Sequence, residues 1–402
     1  MNYTTSKRIK RISVSQTLEM SKRSRELREK GIDIIDMSVG QPDFPTPPHI
    51  KQAAKDAIDN NFTFYTPVPG YSDLRQAIVD KFKEENNLDY NKNQIAVTNG
   101  AKQALANTIL TLINKGDEIL VPTPYWVSYA ELVNLAEGKK KFIKTSIDNN
   151  FKVTAQEIED AITPRTRILL YSSPSNPAGS VYSKEELKAI AEVIEKHENV
   201  YVISDEIYEH INFVGKHESI AQFESIKDRV IVINGMSKGY AMTGWRLGYM
   251  AAPKWIVDSC IKLQGQYTSG ASSISQKAAL AALQGDNLYT MGMNQAFRER
   301  RDLIVSLMNE IPGFKTYIPE GAFYIFPDVK SYFGQIHNYI NIKNATDLSM
   351  FLLNEAHVAT VPGSAFGDDN CIRFSFALGK NKIETAMERI KTTLRTLTED
   401  NT

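Results

Sequence analysis

Short runs rich in valine and isoleucine alternate with amphipathic helical stretches over the first 285 residues, and this alternation limits the possible folds more than any other feature. Nearly continuous apolar runs are typical of strands that are buried on both faces of a parallel sheet. The runs lie at residues 32–38, 94–100, 118–122, 167–173, 199–206 and 229–235. We therefore expect an α/β fold that binds its ligands at the carboxyl ends of the strands.

The segments between these runs carry helix signals. Residues 72–86 repeat apolar side chains at helical spacing, and residues 183–197 begin with Ser183 and Glu186 at the spacing of a capping box. Residues 16–30 form a further amphipathic pattern, closed by a glycine. Helices are therefore predicted over all three segments.

The pattern changes after about residue 285 and predicts a smaller α+β domain. Its elements are a long charged helix at 294–311, short strands at 321–327, 357–363 and 371–377, and a final helix at 381–397. The expected division is an N-terminal segment that packs with the small domain, a large domain and a small domain, at residues 1–45, 46–285 and 286–402.

Charge and cysteine content argue against several classes of protein. The 47 basic and 47 acidic residues cancel, whereas proteins that bind nucleic acid usually carry a basic excess. Cys260 and Cys371 cannot build a disulfide framework, and neither they nor the six histidines have the spacing of a metal site. Since there is also no secretory pattern and no membrane-length apolar stretch, a cytoplasmic location is expected.

Lys238 lies just after the run at 229–235, among small and apolar residues. A lysine held there would be partly desolvated, which lowers its pKa and favours a Schiff base. Ser237 and Arg246 could bind a phosphate beside it, and this combination suits pyridoxal phosphate. A solvated surface lysine is the alternative.

Asp205 ends the run at 199–206, where an acid must be paired or buried at a cost. It could pair with the pyridinium nitrogen of the cofactor, and Tyr208, on the same face of a following helix, could reach the ring hydroxyl. The alternative is that Asp205 caps a helix over residues 206–211.

Two further residues follow predicted strands. Asn176 lies in a turn and could donate to a cofactor oxygen, although turn chemistry alone explains its neighbours. Trp126 could stack on a flat aromatic cofactor, or it could simply be a core residue.

Two other features suit anions. Residues 98–104 follow a strand and open a helix, so the free backbone N–H groups of Ala101 and Lys102 could bind a phosphate. Arg373 alternates with apolar residues in a strand of the small domain, and its planar fork suits a carboxylate. A structural ion pair is the alternative for Arg373.

In their order along the chain, these segments resemble the class I aminotransferases, fold type I enzymes that depend on pyridoxal phosphate. The resemblance covers nearly the whole chain, through SVGQPDFPTP, YTPVPGYSDLR, TNGAKQAL, PYWVSY, SPSNPAGSVYS, ISDEIYEH, GMSKGYAMTGWRLGY, GAFY and IRFSFA. It implies a large domain with a mostly parallel seven-stranded sheet between helices, and a smaller α+β domain.

The resemblance also implies roles for residues around the cofactor ring. Lys238 matches the lysine that carries the cofactor, and Asp205 matches the partner of the ring nitrogen. Tyr208 and Asn176 match the groups that bond the ring hydroxyl, and Trp126 matches the residue stacked on the ring. Lys238, Asp205 and Tyr208 are thus the expected catalytic residues.

The phosphate would be bound by Ala101, Lys102, Ser237 and Arg246. Tyr65 matches a tyrosine that reaches the phosphate from the neighbouring subunit. A homodimer with shared active sites is therefore expected.

The substrate would be an amino acid or a 2-oxo acid. Gly40 and Arg373 match positions that bind its α-carboxylate, with Trp126 and Asn176 beside it, and Ser15 and Lys102 match positions that hold a distal carboxylate.

The resemblance is strongest to the bacterial aspartate aminotransferases, some of which also accept prephenate. We expect ping-pong exchange between L-aspartate and 2-oxoglutarate. Prephenate and aromatic or neutral amino acids are alternative substrates, and lyase or decarboxylase chemistry on the same fold is an alternative reaction. A cofactor-binding regulatory module would call for an attached DNA-binding domain, for which the chain has neither the length nor the charge.

Overall fold

The computed structural model describes residues 4–337 and 340–399. Its helices, in chain order, are α1 (Lys7–Lys10), α2 (Gln16–Glu29), α3 (Pro48–Asp59), α4 (Ser72–Asn86), α5 (Ala101–Leu112), α6 (Ser128–Leu135), α7 (Ala155–Ala161), α8 (Lys184–Glu195), α9 (Lys254–Tyr267), α10 (Ser273–Gln284), α11 (Leu288–Asn309), α12 (Ala345–Glu355) and α13 (Lys380–Glu399). Its strands are β1 (Ile35–Asp36), β2 (Ile95–Thr98), β3 (Glu118–Pro122), β4 (Lys139–Ile143), β5 (Thr166–Ser172), β6 (Tyr201–Asp205), β7 (Val230–Gly235), β8 (Gly248–Ala251), β9 (Tyr324–Ile325), β10 (Ile336–His337), β11 (Ile340–Asn341), β12 (Val358–Ala359), β13 (Val361–Pro362) and β14 (Ile372–Ser375).

A seven-stranded sheet forms the centre, in the order β2-β8-β7-β6-β5-β3-β4. Every pairing in it is parallel except the two made by β8, which runs antiparallel to both β2 and β7. This confirms the predicted α/β fold with a mostly parallel sheet. Five of the six predicted runs supply strands β2, β3, β5, β6 and β7.

The sheet is covered on both faces, which explains why its strands are continuously apolar. In β7, Val230 and Val232 belong to the core packed against α4, α8 and α10, whereas Ile231 and Ile233 belong to the core packed against α5 and α9. Successive side chains point to opposite faces of a strand, so burial on both faces requires apolar residues at every position.

The run at 32–38 does not join the central sheet, and here the prediction was wrong. Only Ile35 and Asp36 are in a strand, β1, which pairs in parallel with β12. Ile35 and Met37 pack in a separate core with side chains of α11 and α13. An apolar run at this point in the sequence indicates burial, but it cannot tell which of two cores buries it.

The carboxyl-terminal part contains the antiparallel sheet β13-β14-β9, covered by α11 and α13. Its core includes Phe297, Phe323, Phe374 and Ile390. The predicted helix at 294–311 begins earlier, at Leu288, and the predicted strands here are only two to four residues long.

Helix ends follow the predicted signals. Ser183 Oγ accepts from the Glu186 backbone N–H at 3.2 Å, while Glu186 Oε2 accepts from the Ser183 backbone N–H at 2.7 Å, so the capping box forms at the start of α8. α2 ends at Glu29, and Gly31 follows with φ +84°. None of the helices in residues 4–337 and 340–399 is long and apolar enough to cross a membrane.

Candidate active site

A cavity of about 430 Å³ lies at the carboxyl edge of the central sheet and is closed on its other side by the start of α2 and by residues 39–41. It contains all but one of the predicted site residues, namely Ser15, Gly40, Ala101, Lys102, Trp126, Asn176, Asp205, Tyr208, Ser237, Lys238, Arg246 and Arg373. The exception is Tyr65, which precedes α4 and is 99% exposed.

The topology gathers these side chains at one edge. β2, β3, β5, β6 and β7 all run in the same direction, so the segments that follow them meet there. Trp126 follows β3, Asn176 follows β5, Asp205 ends β6 and Lys238 follows β7. Residues more than a hundred positions apart therefore line one cavity, as expected for an open α/β sheet.

Lys238 lies between the sheet and the segment at residues 38–40. Its Nζ donates to the Gly40 carbonyl oxygen at 2.5 Å and lies 5.6 Å from the ring centre of Tyr208. Burial, reinforced by the positive charges of Arg373 and Arg246, lowers the pKa of Lys238 to about 7. A substantial fraction of this amine is therefore neutral near pH 7, as a nucleophile or a base requires.

Asp205 is buried at the floor of the cavity. Its Oδ2 accepts from the Tyr129 hydroxyl at 2.7 Å, and its Oδ1 accepts from the Ile207 N–H at 3.3 Å. Burial raises its pKa to about 6, although the Tyr129 hydrogen bond opposes the rise. The carboxylate thus has a hydroxyl partner rather than a salt-bridge cation, and can still accept a proton or a cation from a ligand.

Residues 207–210 form turns, and none of residues 206–211 belongs to the helix predicted after Asp205. Tyr208 therefore reaches the cavity from a turn, and the helical-face argument for it was wrong. The Asp205 carboxylate bonds a backbone N–H only two residues ahead, which is the local bond of a turn and competes with helix formation. The Tyr208 hydroxyl lies 2.8 Å from the Tyr324 hydroxyl, and one hydroxyl donates to the other.

Arg373 is 2% exposed and lies in β14. Its Nη1 donates to Asn176 Oδ1 at 3.1 Å and its Nη2 donates to the Ser38 carbonyl oxygen at 2.6 Å. Among the residues that the structure describes, no acceptor faces its Nε. Since neutral acceptors only partly satisfy a buried guanidinium, this arrangement suits an incoming carboxylate, and within residues 4–337 and 340–399 Arg373 does not form the structural ion pair considered above.

The start of α5 forms an anion-binding cradle with Arg246. Gly100 precedes the helix with φ +81°, and no side chain of the described ranges caps the first turn. A Cβ at Gly100 would lie 2.5 Å from Arg246 Nη2, so the guanidinium lies directly over the helix start. A helix N-terminus and an arginine together favour a phosphate-sized anion.

Trp126 and Lys102 form the side wall. The Lys102 Nζ lies 4.9 Å from the ring centre of Trp126, and the ring of Trp126 meets that of Tyr129 edge to face at 5.6 Å. Trp126 is only partly buried: it lines the cavity and also packs against the core beside α5.

Sequence reasoning missed two residues of the site. Tyr129 binds Asp205 from the beginning of α6, and Tyr324 packs against Tyr208 and lies 4.5 Å from the Arg373 guanidinium. Tyr324 also explains why residue 40 is a glycine, because a Cβ at that position would lie 2.6 Å from the Tyr324 hydroxyl. Both tyrosines lie within segments already quoted for the resemblance, PYWVSY and GAFY, but no local pattern shows that they turn inward.

The profile of the family described as "Aminotransferase class I and II" matches residues 32–390. The chain belongs to this family. It is therefore an aminotransferase, an enzyme that exchanges an amino group between an amino acid and a 2-oxo acid, and members of the family generally use pyridoxal phosphate.

Two curated relatives of this aminotransferase match it over almost its whole length. It is 45% identical to a "Bifunctional aspartate aminotransferase and glutamate/aspartate-prephenate aminotransferase" of Petunia hybrida, over 98% of this chain and 83% of the relative. It is 43% identical to an "Aspartate/prephenate aminotransferase" of Nitrosomonas europaea, over 97% of this chain and 99% of the relative.

Solved structures agree with the fold of the aminotransferase. The aspartate aminotransferase of Rhizobium meliloti superposes with a TM-score of 0.95 at 40% identity, covering 98% of this chain and all of the other. The structure of the Thermus thermophilus aspartate aminotransferase with maleate superposes with a TM-score of 0.92 at 35% identity, covering 97% of this chain and all of the other. These likenesses confirm the expected fold type I architecture.

Proposed function

We propose that this aminotransferase uses pyridoxal phosphate to transfer the amino group of L-aspartate to 2-oxoglutarate. The observation that carries the proposal is one cavity that holds both a lysine of lowered pKa, Lys238, and a buried arginine, Arg373, that has no carboxylate partner among the described residues. An amine that reacts and a cation that binds a carboxylate are the two groups that an amino-acid substrate needs.

The cavity fits pyridoxal phosphate at three points. The cradle formed by the start of α5 and Arg246 suits the phosphate, and Ser237 lines the same cavity. Asp205 suits the ring nitrogen, and Trp126 offers an aromatic face. When bound, the cofactor supplies an aldehyde that condenses with amines and a ring that accepts the electron pair of a broken bond.

Lys238 would carry the cofactor and move the proton. With the cofactor bound, the free Lys238 amine would accept the α-proton of the substrate, hold it at Nζ and give it up again later in the reaction. Its pKa of about 7 keeps enough neutral amine for this at neutral pH. Asp205 would hold a proton at the ring nitrogen, and Tyr208 and Asn176 would bond the ring hydroxyl.

Arg373 would orient the substrate by binding its α-carboxylate, next to Gly40, which is close to Tyr324 and leaves no room for a side chain. Ser15 and Lys102 line the same cavity and would hold the distal carboxylate of a dicarboxylic substrate. The names of the relatives support aspartate as that substrate.

Prephenate is a second candidate substrate. The relatives from Petunia hybrida and Nitrosomonas europaea are named for prephenate as well as aspartate.

We also propose a homodimer with shared sites and the division into residues 1–45, 46–285 and 286–402. Tyr65 and Phe64 are 99% and 79% exposed, which supports contact with a second subunit, since exposed aromatic clusters mark interaction sites. The packing of Ile35 and Met37 in the core of the carboxyl-terminal part supports the division.

The substrate assignment is tested by comparing Lys102→Ala with wild type on L-aspartate and on L-alanine. We expect kcat/KM for aspartate to fall about tenfold or more, because a charged hydrogen bond is lost, and kcat/KM for alanine to change little. An equal loss for both amino acids would contradict a role in distal carboxylate binding. Prephenate is assayed with the same two proteins.

A further inference from the structure

The segment at residues 36–40 binds two of the basic side chains of the cavity, Arg373 and Lys238, through backbone carbonyls. The Ser38 carbonyl accepts from Arg373 Nη2 at 2.6 Å, and the Gly40 carbonyl accepts from Lys238 Nζ at 2.5 Å. The position of this segment therefore fixes the two groups on which binding and chemistry depend.

Asp36 determines the conformation of that segment. Its Oδ1 accepts from both the backbone N–H of Ser38 at 3.0 Å and the Ser38 hydroxyl at 2.6 Å. The side chain of Asp36 is only 10% exposed, and Ser38 is fully buried. A carboxylate that bonds the backbone two residues ahead closes a turn, and here the turn directs the Ser38 carbonyl at Arg373.

The other oxygen of Asp36 joins the segment to α2. Oδ2 accepts from the Ser24 hydroxyl at 3.1 Å and lies 3.6 Å from Arg28 Nη2. The Ser21 and Ser38 hydroxyls also lie 3.3 Å apart. The first turn of α2 lines the cavity, so Asp36 connects a wall of the cavity to its buried arginine.

We propose that Asp36 is a positioning residue for the substrate α-carboxylate, acting on Arg373 through Ser38 and on the cavity wall through α2. The inference rests on the proposed function, because it takes Arg373 as the carboxylate-binding group. Asp36 touches neither the substrate nor the cofactor site, since the cavity lining does not include it.

Loss of the Asp36 charge has a specific expected effect. The backbone on either side of Asp36 stays in place, because the Ile35 N–H donates to the His357 carbonyl at 3.0 Å and the Met37 N–H donates to the Ala359 carbonyl at 2.9 Å. Only the Ser38 turn and its link to α2 loosen. Binding of every substrate through its α-carboxylate should weaken by the same factor, whatever its side chain.

The test compares Asp36→Asn and Asp36→Ala with wild type in the cofactor-loaded enzyme. We expect KM for L-aspartate and for L-alanine to rise by the same factor, about tenfold for Asp36→Ala and less for Asp36→Asn, which keeps an acceptor for Ser38, while kcat changes less than KM. The dissociation constant of succinate, measured by calorimetry, should rise in parallel. This pattern differs from that of Lys102→Ala, which should separate the two amino acids.

Asp33→Asn is the matched control. Asp33 lies three residues earlier, its side chain is 83% exposed, and it pairs with Arg389 on the surface. It should leave both KM values and the succinate affinity unchanged. Ser24→Ala, which removes only the α2 link, should give a smaller rise in KM and serves if Asp36→Ala does not fold.

Unchanged KM and succinate affinity in folded Asp36 variants, with only a lower melting temperature, would overturn the proposal and leave Asp36 a structural residue. Unequal KM changes for aspartate and alanine would also overturn it. If wild type failed to transaminate any amino acid, the proposed function would fail instead, and the succinate measurement would still decide whether Asp36 positions Arg373.

Discussion

The segment at residues 205–210 has two faces, and the buried carboxylates on them have different kinds of partner. On one face, Asp205 and Tyr208 point into the cavity. On the other, Glu206 and Glu209 point into the protein, where Glu209 pairs with Lys81 and Glu206 accepts from His217 at 3.0 Å.

Burial disfavours the ionised form of both Asp205 and Glu209, yet their pKa values move apart. Burial raises the pKa of Asp205 to about 6, and its strongest partner is a neutral hydroxyl. Burial also acts to raise the pKa of Glu209, but the charge of Lys81, assisted by His210 and His217, outweighs it and lowers the pKa to about 2. A structural carboxylate receives its cation from the protein, whereas a functional one leaves that position for a ligand.

The face that carries Glu206 and Glu209, here called the inner face, forms a hydrogen-bond network. This network extends to the residues just before Lys238. Asn234 donates to Glu209 Oε1 at 2.7 Å and accepts from the Gly235 N–H at 2.7 Å, just before the turn that carries Lys238. Glu206 also accepts from the Ser219 and Ser204 hydroxyls at 2.6 and 2.8 Å. Among the described residues, Glu206, Glu209 and His217 are close enough together to hold a metal ion, as are Glu85, Glu209 and His210, but Lys81 and the hydrogen bonds above already compensate the charge of Glu209 and Glu206.

The sharpest contrast is expected between two lysines. Lys238→Ala on the cavity face should lower turnover by at least about 10³-fold, since it removes both the nucleophile and the base, while the melting temperature changes little. Steady-state assays and thermal melts of the same preparations check this. Near-normal turnover would contradict the role of Lys238.

Lys81→Met on the inner face should do the opposite. It leaves Glu209 as an unpaired buried charge, so the free energy of unfolding should fall by about 3–5 kcal/mol, with turnover per folded molecule largely kept. Urea denaturation measures the loss. Lys188→Met, which removes an exposed i,i+4 pair with Glu192, is the control and should cost about 0.5 kcal/mol or less. Equal losses in the two variants would show that the inner network is not needed for stability.

The pH dependence of stability should separate the two carboxylates in the cofactor-free protein. Asp205 has a raised pKa in the folded state, so its contribution to stability is full below its unfolded value of 3.8 and is lost as the pH rises through about 6. Asp205→Asn should therefore exceed wild type by about 1–3 kcal/mol at pH 8 and match it near pH 4.

For Glu209→Gln, the difference in stability from wild type at pH 8 should have the opposite sign. The pKa of Glu209 is lowered in the folded state, so its contribution is present above its unfolded value of 4.5 and is lost as the pH falls towards about 2. The variant should be less stable than wild type at pH 8, and the difference should shrink below pH 4.5. Chemical denaturation across this pH range measures the stability of both variants relative to wild type. If the two differences from wild type had the same sign at pH 8, Asp205 and Glu209 would not differ as described.

The smallest effect is expected for Tyr129→Phe. Without the hydroxyl, the ionised form of Asp205 loses a hydrogen bond, so its pKa rises further and activity falls about 3- to 10-fold, most strongly at low pH. A pH profile of kcat/KM measures this. A uniform loss at every pH would indicate that Tyr129 acts through packing alone.

Much of the site could be predicted because its residues follow buried strands, and strand direction alone brings them to one edge. Lys238 and Asp205 are examples. The pairings across the chain could not be predicted, since Tyr129 and Asp205 are 76 residues apart, and Lys81 and Glu209 are 128 apart. Neither pair leaves a local pattern.

In the fold, too, local patterns could be predicted from the sequence and long-range contacts could not. The strands buried on both faces were visible in the sequence as continuous apolar runs. The edge strand β4 was missed because it begins with three lysines, and β8 was missed because its residues, GYMA, include no valine or isoleucine. The placement of β1 depends on contacts with residues 358–359, more than three hundred positions away.

The most direct test of the account is the stoichiometry of a half-reaction. The enzyme loaded with pyridoxal phosphate is mixed with L-aspartate alone, and oxaloacetate and ammonia are quantified. We expect about one oxaloacetate per active site and no ammonia, with glutamate and further oxaloacetate formed only after 2-oxoglutarate is added. Continuous release of ammonia with an oxo acid, or no oxaloacetate at all, would contradict it.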